Sequence, residues 1–221
     1  MLKQLKYMKG EEFVKKILAG ERNFSDIELE ENFNLNNFEW INDLQTYLKD
    51  QNFEKSPFLF NSSEFIGIKA ACLQFPFSKG YETNFGGGAT LYDIDFSYSD
   101  FMRANFFSGT LNRINFSHSN LSKADFGIVA LQRAYFNQAD LNSANFYGAC
   151  LDMANLQGAN LFGTQFSRAT FTRADLRYTT NLEKSISLEF ALFSETKVTE
   201  EEKKIIEEIL SKPRTLFVVG D

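Results

Sequence analysis

The chain has 221 residues, a formal net charge of −6, 25 Phe, a single Trp, a single His and two Cys. One histidine excludes any multi-histidine metal site, and two unplaced cysteines, Cys72 and Cys150, exclude a disulfide scaffold and fit a reduced, intracellular setting. The mild acidity argues against broad nucleic-acid binding. No apolar run approaches the length of a membrane span and the first residues lack the apolar core of a signal peptide, so a cytoplasmic address is expected.

In chain order, residues 10–20 predict a short helix with Phe13, Val14, Ile17 and Leu18 on one side and Gly20 as its stop. Phe24 and Leu29, five apart, begin a degenerate coil, and a second helix is predicted from Ile41 to Asp50 as an insertion in it. The five-residue spacing resumes near 58, through Phe60, Phe65, Ala70 and Phe75. Gly86, Gly87 and Gly88 follow Phe85, and Leu91 comes six residues after Phe85 rather than five. The glycines are therefore expected to absorb an extra residue at a bulge or corner. A phosphate cradle would need a strand before, a helix after and a Lys-Ser/Thr pair, none of which is present.

From Leu91 to Leu176 every fifth residue is Leu or Phe, over eighteen consecutive positions. Two residues before each stands a small or β-branched residue, as at Ala104, Ala124, Ala134, Ala144 and Ala154, often with Asp or Asn between. A period of five is neither that of a helix nor that of a strand, so it describes an architecture. Two inward residues separated by one outward residue read as a very short strand, and the remaining two turn a corner. The intervening Asp or Asn is expected to bond nearby backbone, as these side chains do in turns.

The runs Ala-Asp-Phe at 124–126, Ala-Asn-Phe at 144–146, Ala-Asn-Leu at 154–156 and Ala-Asp-Leu at 174–176 resemble the pentapeptide-repeat family. That resemblance implies an all-β solenoid, a right-handed quadrilateral β-helix in which four repeats make one coil. A twenty-residue coil sorts the central residues into four columns, one of them the aromatic set Phe106, Phe126, Phe146 and Phe166, which is assigned to the core. About four and a half regular coils at ~4.8 Å give a rod some 20 Å long.

After Leu176 the repeat dissolves. Thr199 to Glu202 form a capping-box signature ahead of an amphipathic helix with Ile205, Ile206, Ile209 and Leu210. The β-prone tail 216–219 is expected either to lie along the rod or to pair with a second chain. The expected organisation is residues 1–57 as N-terminal capping helix, first coil and helical insertion, 58–193 as the β-helix (regular over 89–180), and 194–221 as C-terminal capping helix and tail.

No catalytic, cofactor-binding or metal residue is assigned. His118 stands between two serines at an outward position, and the rod carboxylates occupy the motif position. What remains is a surface. Between Ala89 and Thr180 seven acids (Asp93, Asp95, Asp100, Asp125, Asp140, Asp152, Asp175) face seven bases (Arg103, Arg113, Lys123, Arg133, Arg168, Arg173, Arg177). Some members of the family act on DNA gyrase, which the resemblance links to an acidic rod imitating DNA, but a near-neutral rod with basic ladders spoils such a field. The expected function is a non-catalytic scaffold or protein-interaction module with an unidentified protein partner, no nucleic-acid or membrane partner, and a monomeric or weakly dimeric state. The alternative is a DNA-mimic modulator of a DNA-handling enzyme. Arg103, Phe107, Lys123, Tyr147 and Phe162 form the candidate protein-binding surface, because aromatic and Arg side chains are what interfaces favour.

Overall fold

The computed structural model describes residues 4–211. From Asn23 to Lys197 the backbone winds as a four-sided β-solenoid whose rungs are isolated parallel bridges, such as Thr90 with Thr110, Asp95 with Asn115, Asp100 with Asn120 and Asn105 with Asp125. Named strands are confined to β1 (Lys6–Met8), β2 (Ile27–Leu29), β3 (Lys69–Ala71) and β4 (Thr90–Tyr92), with β1 parallel to β2 and β3 parallel to β4. Each side of the coil is short because a corner interrupts it after three residues. The burial pattern along a side is inward, partly exposed, inward, as in Ala104, Asn105 and Phe106.

The corners share one geometry. At every fifth residue from Asp93 to Tyr178, two places after the central Leu or Phe, φ is positive. The next N–H donates to the central carbonyl, Ala104 to Phe101 and Ala134 to Leu131 both at 3.0 Å. This is a type II-like turn, in which the third residue must be left-handed. Gly148, Gly158 and Gly163 meet that demand without strain, yet the same place is taken by Arg103, Lys123, Arg133 and even β-branched Ile128 at φ 55. A left-handed L-residue costs roughly 1–2 kcal/mol. The offset is visible in the vertical pairing, where the corner N–H of Arg103 reaches Ser122 O at 2.9 Å and that of Ile128 reaches Tyr147 O at 2.7 Å in the next coil.

Inside, Phe65, Phe85, Phe106, Phe126, Phe146 and Phe166 stack face to face with successive centroid distances of 5.2, 5.3, 4.9, 4.9 and 5.6 Å. A neighbouring column of Phe75, Phe96, Phe116 and Phe136 meets it edge-on, as Phe136 meets Phe126 at 5.7 Å and 83°. Offset stacking along each column and edge-to-face contact between columns both suit the ring quadrupole. Gly80 stands at a central position of the Phe101 column, where a Cβ would come within 2.1 Å of the Phe101 ring, so its missing side chain is the space that ring fills.

Bridges crossing the glycine run join residues 21 apart, Asn84 with Asn105, whereas Glu64 with Asn84 and Thr90 with Thr110 are 20 apart. The extra residue lies between Asn84 and Thr90, where Gly87 and Gly88 have φ of +68 and +80. In the first coil Asn23, Asn34 and Leu35 align with Leu59, Lys69 and Ala70, and helix α2 (Ile41–Lys49) stands outside the coil between them. Arg22 fastens it, donating to Tyr47 Oη at 2.8 Å and Gln51 Oε1 at 2.6 Å while its guanidinium lies 4.6 Å over the Phe58 ring. Helix α1 (Gly10–Leu18) packs Phe13 on Phe24 and Phe65 at 4.7 and 5.7 Å, with Gly20 at φ +92 just beyond it.

At the other end the five-residue spacing stops after Leu176 but the backbone pairing continues, with Gln165 paired to Ile186, Thr170 to Leu192 and Asp175 to Lys197. Two 3₁₀ turns, Leu182–Lys184 and Leu188–Phe190, replace two-residue corners and break the five-residue spacing without breaking the backbone pairing. Leu182 and Leu188 are buried and continue the core. Helix α3 (Glu200–Ser211) begins with Thr199 N–H donating to Glu202 Oε2 at 2.6 Å. It buries Ile206 and half-buries Ile205 and Ile209, but Leu210, expected on the apolar face, points outward. The tail 216–219 lies outside the described residues. Among the described residues no helix is long and apolar enough to cross a membrane.

Phe126 is fully buried between two stacked rings. Phe126→Ala is expected to cost about 3–5 kcal/mol in denaturant unfolding, the usual loss for a buried Phe. Ile128→Asn, at an exposed left-handed corner, is expected to raise stability by about 1 kcal/mol in the same assay, since Asn tolerates that conformation far better than a β-branched residue.

Candidate interaction surface

The bridges define four outward columns: Thr90, Thr110, Ala130, Cys150, Thr170; Asp95, Asn115, Tyr135, Asn155, Asp175; Asp100, Asn120, Asp140, Asn160, Thr180; and Asn105, Asp125, Asn145, Gln165. Three of them carry the motif Asp and Asn, and there these side chains do two jobs. Each oxygen accepts the N–H two residues on, as Asp125 Oδ1 does from Gly127 at 2.9 Å. Where the residue one coil earlier is also Asp or Asn, the Asn donates to it, Asn145 to Asp125 at 2.8 Å, Asn120 to Asp100 at 2.9 Å and Asn115 to Asp95 at 3.0 Å. The carboxylates are thus consumed by the architecture, as the sequence pattern implied.

The five residues singled out for binding all lie on the two rims of the Asn105 face. Arg103 and Lys123 share one rim of it and Phe107 and Tyr147 the other, as their corner positions require. Phe107 is 41% exposed and lies across Gly127, whose absent Cβ would stand 3.0 Å from the ring. Tyr147 is 37% exposed, with the Arg168 guanidinium 5.7 Å over its ring. Arg103 is not a free cation, since it donates to Glu82 Oε1 at 3.0 Å and Tyr81 Oη at 3.3 Å. Phe162 is exposed at the corner that follows Asn160 and Leu161, the same rim that carries Arg103 and Lys123 in earlier coils. Phe106, Phe126, Phe146 and Phe166 have no exposed surface at all.

Two features of the surface escaped the repeat pattern. His118 stacks on Tyr98 at 4.6 Å, and Tyr98 on Phe77 at 5.1 Å, forming an outer aromatic column along one corner. The signal was the twenty-residue spacing of outward positions, obscured at Phe77 by the inserted residue in the glycine run. The cations are also largely paired. Arg113 bonds Asp93, Arg173 bonds Glu195 at 2.7 Å, and Arg177 grips Asp175 at 2.7 and 2.9 Å. The first two pairs are exposed and contribute little to stability. Asp175 is buried, which by itself raises its pKa, but the Arg177 side chain and N–H outweigh burial and hold it below the ordinary carboxylate value.

An open cleft of about 730 Å³ lies between Tyr178–Glu183 and the start of α3, lined by Glu183, Glu200 and Glu201 with no His, Cys or Lys. Among the described residues no three His, Cys, Asp or Glu side chains converge in a metal-binding arrangement.

The model of pentapeptide repeats matches eight copies over residues 99–127, 129–158 and 154–184, the same turns that carry the Asp/Asn columns. Residues 99–184 are pentapeptide repeats. No curated protein matches the chain. Among solved structures, the pentapeptide-repeat solenoid shares its likeness with QnrB1, a plasmid-mediated fluoroquinolone resistance protein, at 17% identity and a TM-score of 0.44, over 87% of this chain and 92% of that one. A second is HetL of the cyanobacterium Nostoc sp. strain PCC 7120, a pentapeptide-repeat protein involved in heterocyst differentiation regulation, at 18% identity and a TM-score of 0.35, over 86% and 94% of the two chains. A third is Rfr23 of the cyanobacterium Cyanothece 51142, at 16% identity and a TM-score of 0.27, over 62% and 88%.

Because the folded-state pKa of Asp175 is depressed, its contribution is present above the ordinary carboxylate value near 4 and is lost as pH falls through the lower, folded value. Asp175→Asn is therefore expected to reduce stability at pH 7 and to flatten the acid limb of a Tm-against-pH curve below about pH 4.

Proposed function

We propose that this pentapeptide-repeat protein is a non-catalytic scaffold that presents the Asn105 face of its rod to a protein partner. In this reading the coils wind right-handed, α1 and α3 close the two ends, residues 58–193 form the working rod between the end segments 1–57 and 194–221, and the protein acts in the cytoplasm.

The observation that carries the reading is the pair of exposed aromatics, Phe107 and Tyr147, two coils apart on one rim of a flat polar face, with Arg168 over the second. Rigid aromatic side chains next to Arg supply large contact area at low entropic cost, which is how interface anchors work. The Asn105 face between the rims offers amide and carboxylate groups already fixed by their own hydrogen bonds, so little ordering is lost when a partner docks. A DNA-like surface is less well supported. Along the Asp100 face charged Asp100 and Asp140 alternate with neutral Asn120 and Asn160, which halves the charge per unit length.

The test is affinity capture from cells of the source organism with tagged wild type and with Phe107→Glu/Tyr147→Glu. A partner retained by wild type and lost by the variant, then reconstituted from purified components, is the expected result, with binding weakened at least about tenfold. Retention of gyrase or another DNA enzyme by both would replace this reading with mimicry.

A further inference from the structure

Of the seven cations in the regular coils, four are already answered by a carboxylate: Arg103 by Glu82, Arg113 by Asp93, Arg173 by Glu195 and Arg177 by Asp175. Lys123, Arg133 and Arg168 form no ion pair among the described residues. Two of these three flank the Asn105 face. Lys123 stands on the rim that also carries Phe162, and Arg168 on the rim of Phe107 and Tyr147. Between them the face column holds one carboxylate, Asp125, which accepts from Gly127 N–H at 2.9 Å and from Asn145 Nδ2 at 2.8 Å. The balance around this face is therefore positive, on a chain whose formal net charge is −6. The Asp100 face has the opposite sign, with Asp100 and Asp140 in its column and Lys123 as the one unpaired cation on its rims. Arg133 stands away from both, on the far rim of the Thr90 face, where its N–H reaches Asp152 O in the next coil.

The rim of Phe107 and Tyr147 is a longer apolar ridge than those two rings make alone. Ile128, 55% exposed, fills the coil between them. Phe107 and Ile128 each lie against a glycine of the next coil. A Cβ on Gly127 would stand 3.0 Å from the Phe107 ring, and one on Gly148 would stand 3.8 Å from Ile128 Cγ1. Phe107, Ile128 and Tyr147 thus succeed one another at intervals of ~4.8 Å. Arg168 ends the ridge, with its guanidinium over the Tyr147 ring.

We infer that the occupant of the Asn105 face is an acidic peptide segment, laid across the coils in extended form. Its carboxylates meet Lys123 and Arg168, and its apolar side chains cover Phe107, Ile128 and Tyr147. This rests on the scaffold reading and adds to it the chemistry of the partner. Charge selects the occupant, because both cations lack a competitor within the chain, whereas a basic segment would meet two unanswered like charges. Spacing narrows it. Lys123 and Arg168 stand two coils apart on opposite rims of a three-residue side, about 14 Å on the diagonal. An extended segment covers that distance in about four residues, and residues four apart point to the same side of a strand. A single-stranded nucleic acid suits the face less well. It needs a basic groove tracking its backbone, and here Asp125 stands between the two cations.

Selection of a random peptide display library on the full-length protein, followed by titration of the enriched peptides by fluorescence anisotropy, tests this. Enriched peptides are expected to carry carboxylates about four residues apart beside aliphatic or aromatic residues, and to bind less tightly as salt rises. Lys123→Glu/Arg168→Glu is expected to weaken them at least about tenfold. Its circular dichroism is expected to be unchanged, because Glu82 and Glu195 already occupy left-handed corners of the same kind. Arg133→Glu is expected to bind as wild type does. If the double variant fails to fold, Lys123→Gln/Arg168→Gln decides in its place, since Gln138 also stands at such a corner. An empty selection, neutral or basic peptides, acidic peptides held equally by the double variant, or equal loss in Arg133→Glu each overturns the inference. Tighter binding of a thymidine oligonucleotide than of any peptide, lost in the double variant, overturns it in favour of nucleic acid. Non-acidic peptides that still lose affinity for Phe107→Glu/Tyr147→Glu leave the scaffold reading standing without the acidic occupant, and peptides indifferent to that variant as well remove both.

Discussion

Vertical backbone pairing between coils is the interaction on which the rest of this molecule depends. The sides of the solenoid are three residues long at most, and nearly every rung is a single bridge to the coil above and another to the coil below. Pairing of that kind holds when successive coils have the same shape. The corners therefore adopt one turn from Asp93 to Tyr178, whatever residue stands there, and a backbone that places Arg, Lys and Ile at positive φ is stable because each such residue also donates vertically. A corner is strained locally and satisfied collectively.

The same constraint shapes the core and the surface. Identical coils superpose identical positions, so a Phe every twenty residues becomes a continuous stack, with rings at 4.9 Å through Phe106, Phe126 and Phe146. Where a coil departs from the rule the core adapts around it, as the Phe101 ring does in the space left by Gly80. On the outside, superposition turns motif Asp and Asn into amide ladders that consume their hydrogen-bonding capacity. The field of the rod is correspondingly quiet, and the faces differ mainly in the residues that break the motif: Tyr135 on one, Ala130 and Cys150 on another, and the aromatic rim of Phe107 and Tyr147 beside a third.

The end segments obey different physics. Helix α1 brings Phe13 onto Phe24 and Phe65, and α3 brings Ile206 against the last turns, so apolar surface at the ends of the coil stack meets apolar helix faces. β1 leaves an edge beyond the first coil, but it is three residues long, begins at exposed Lys6 and is followed by exposed Lys9, features that discourage strand addition.

By itself the sequence determined the coil, the inward residues, the place of the extra residue at Gly86–Gly88 and the positions of the end helices. The inward residues and the extra residue follow from the five-residue spacing, the helices from amphipathic runs and their caps, and the four-sided coil from the resemblance to pentapeptide repeats. Tertiary structure decided what spacing does not encode. Left-handed corners were invisible because Arg103, Lys123 and Ile128 are not residues that announce positive φ. The register of the last coil was not encoded in the spacing, because 3₁₀ turns at Leu182 and Leu188 add residues to the period while leaving the bridges intact. The candidate surface was legible in composition but not in chemistry, since the pairing of Arg103 with Glu82 and the cover of Arg168 over Tyr147 arise between residues in different coils. Repetition along the chain sets where each residue lies; contact between coils sets which of them remain available to a partner.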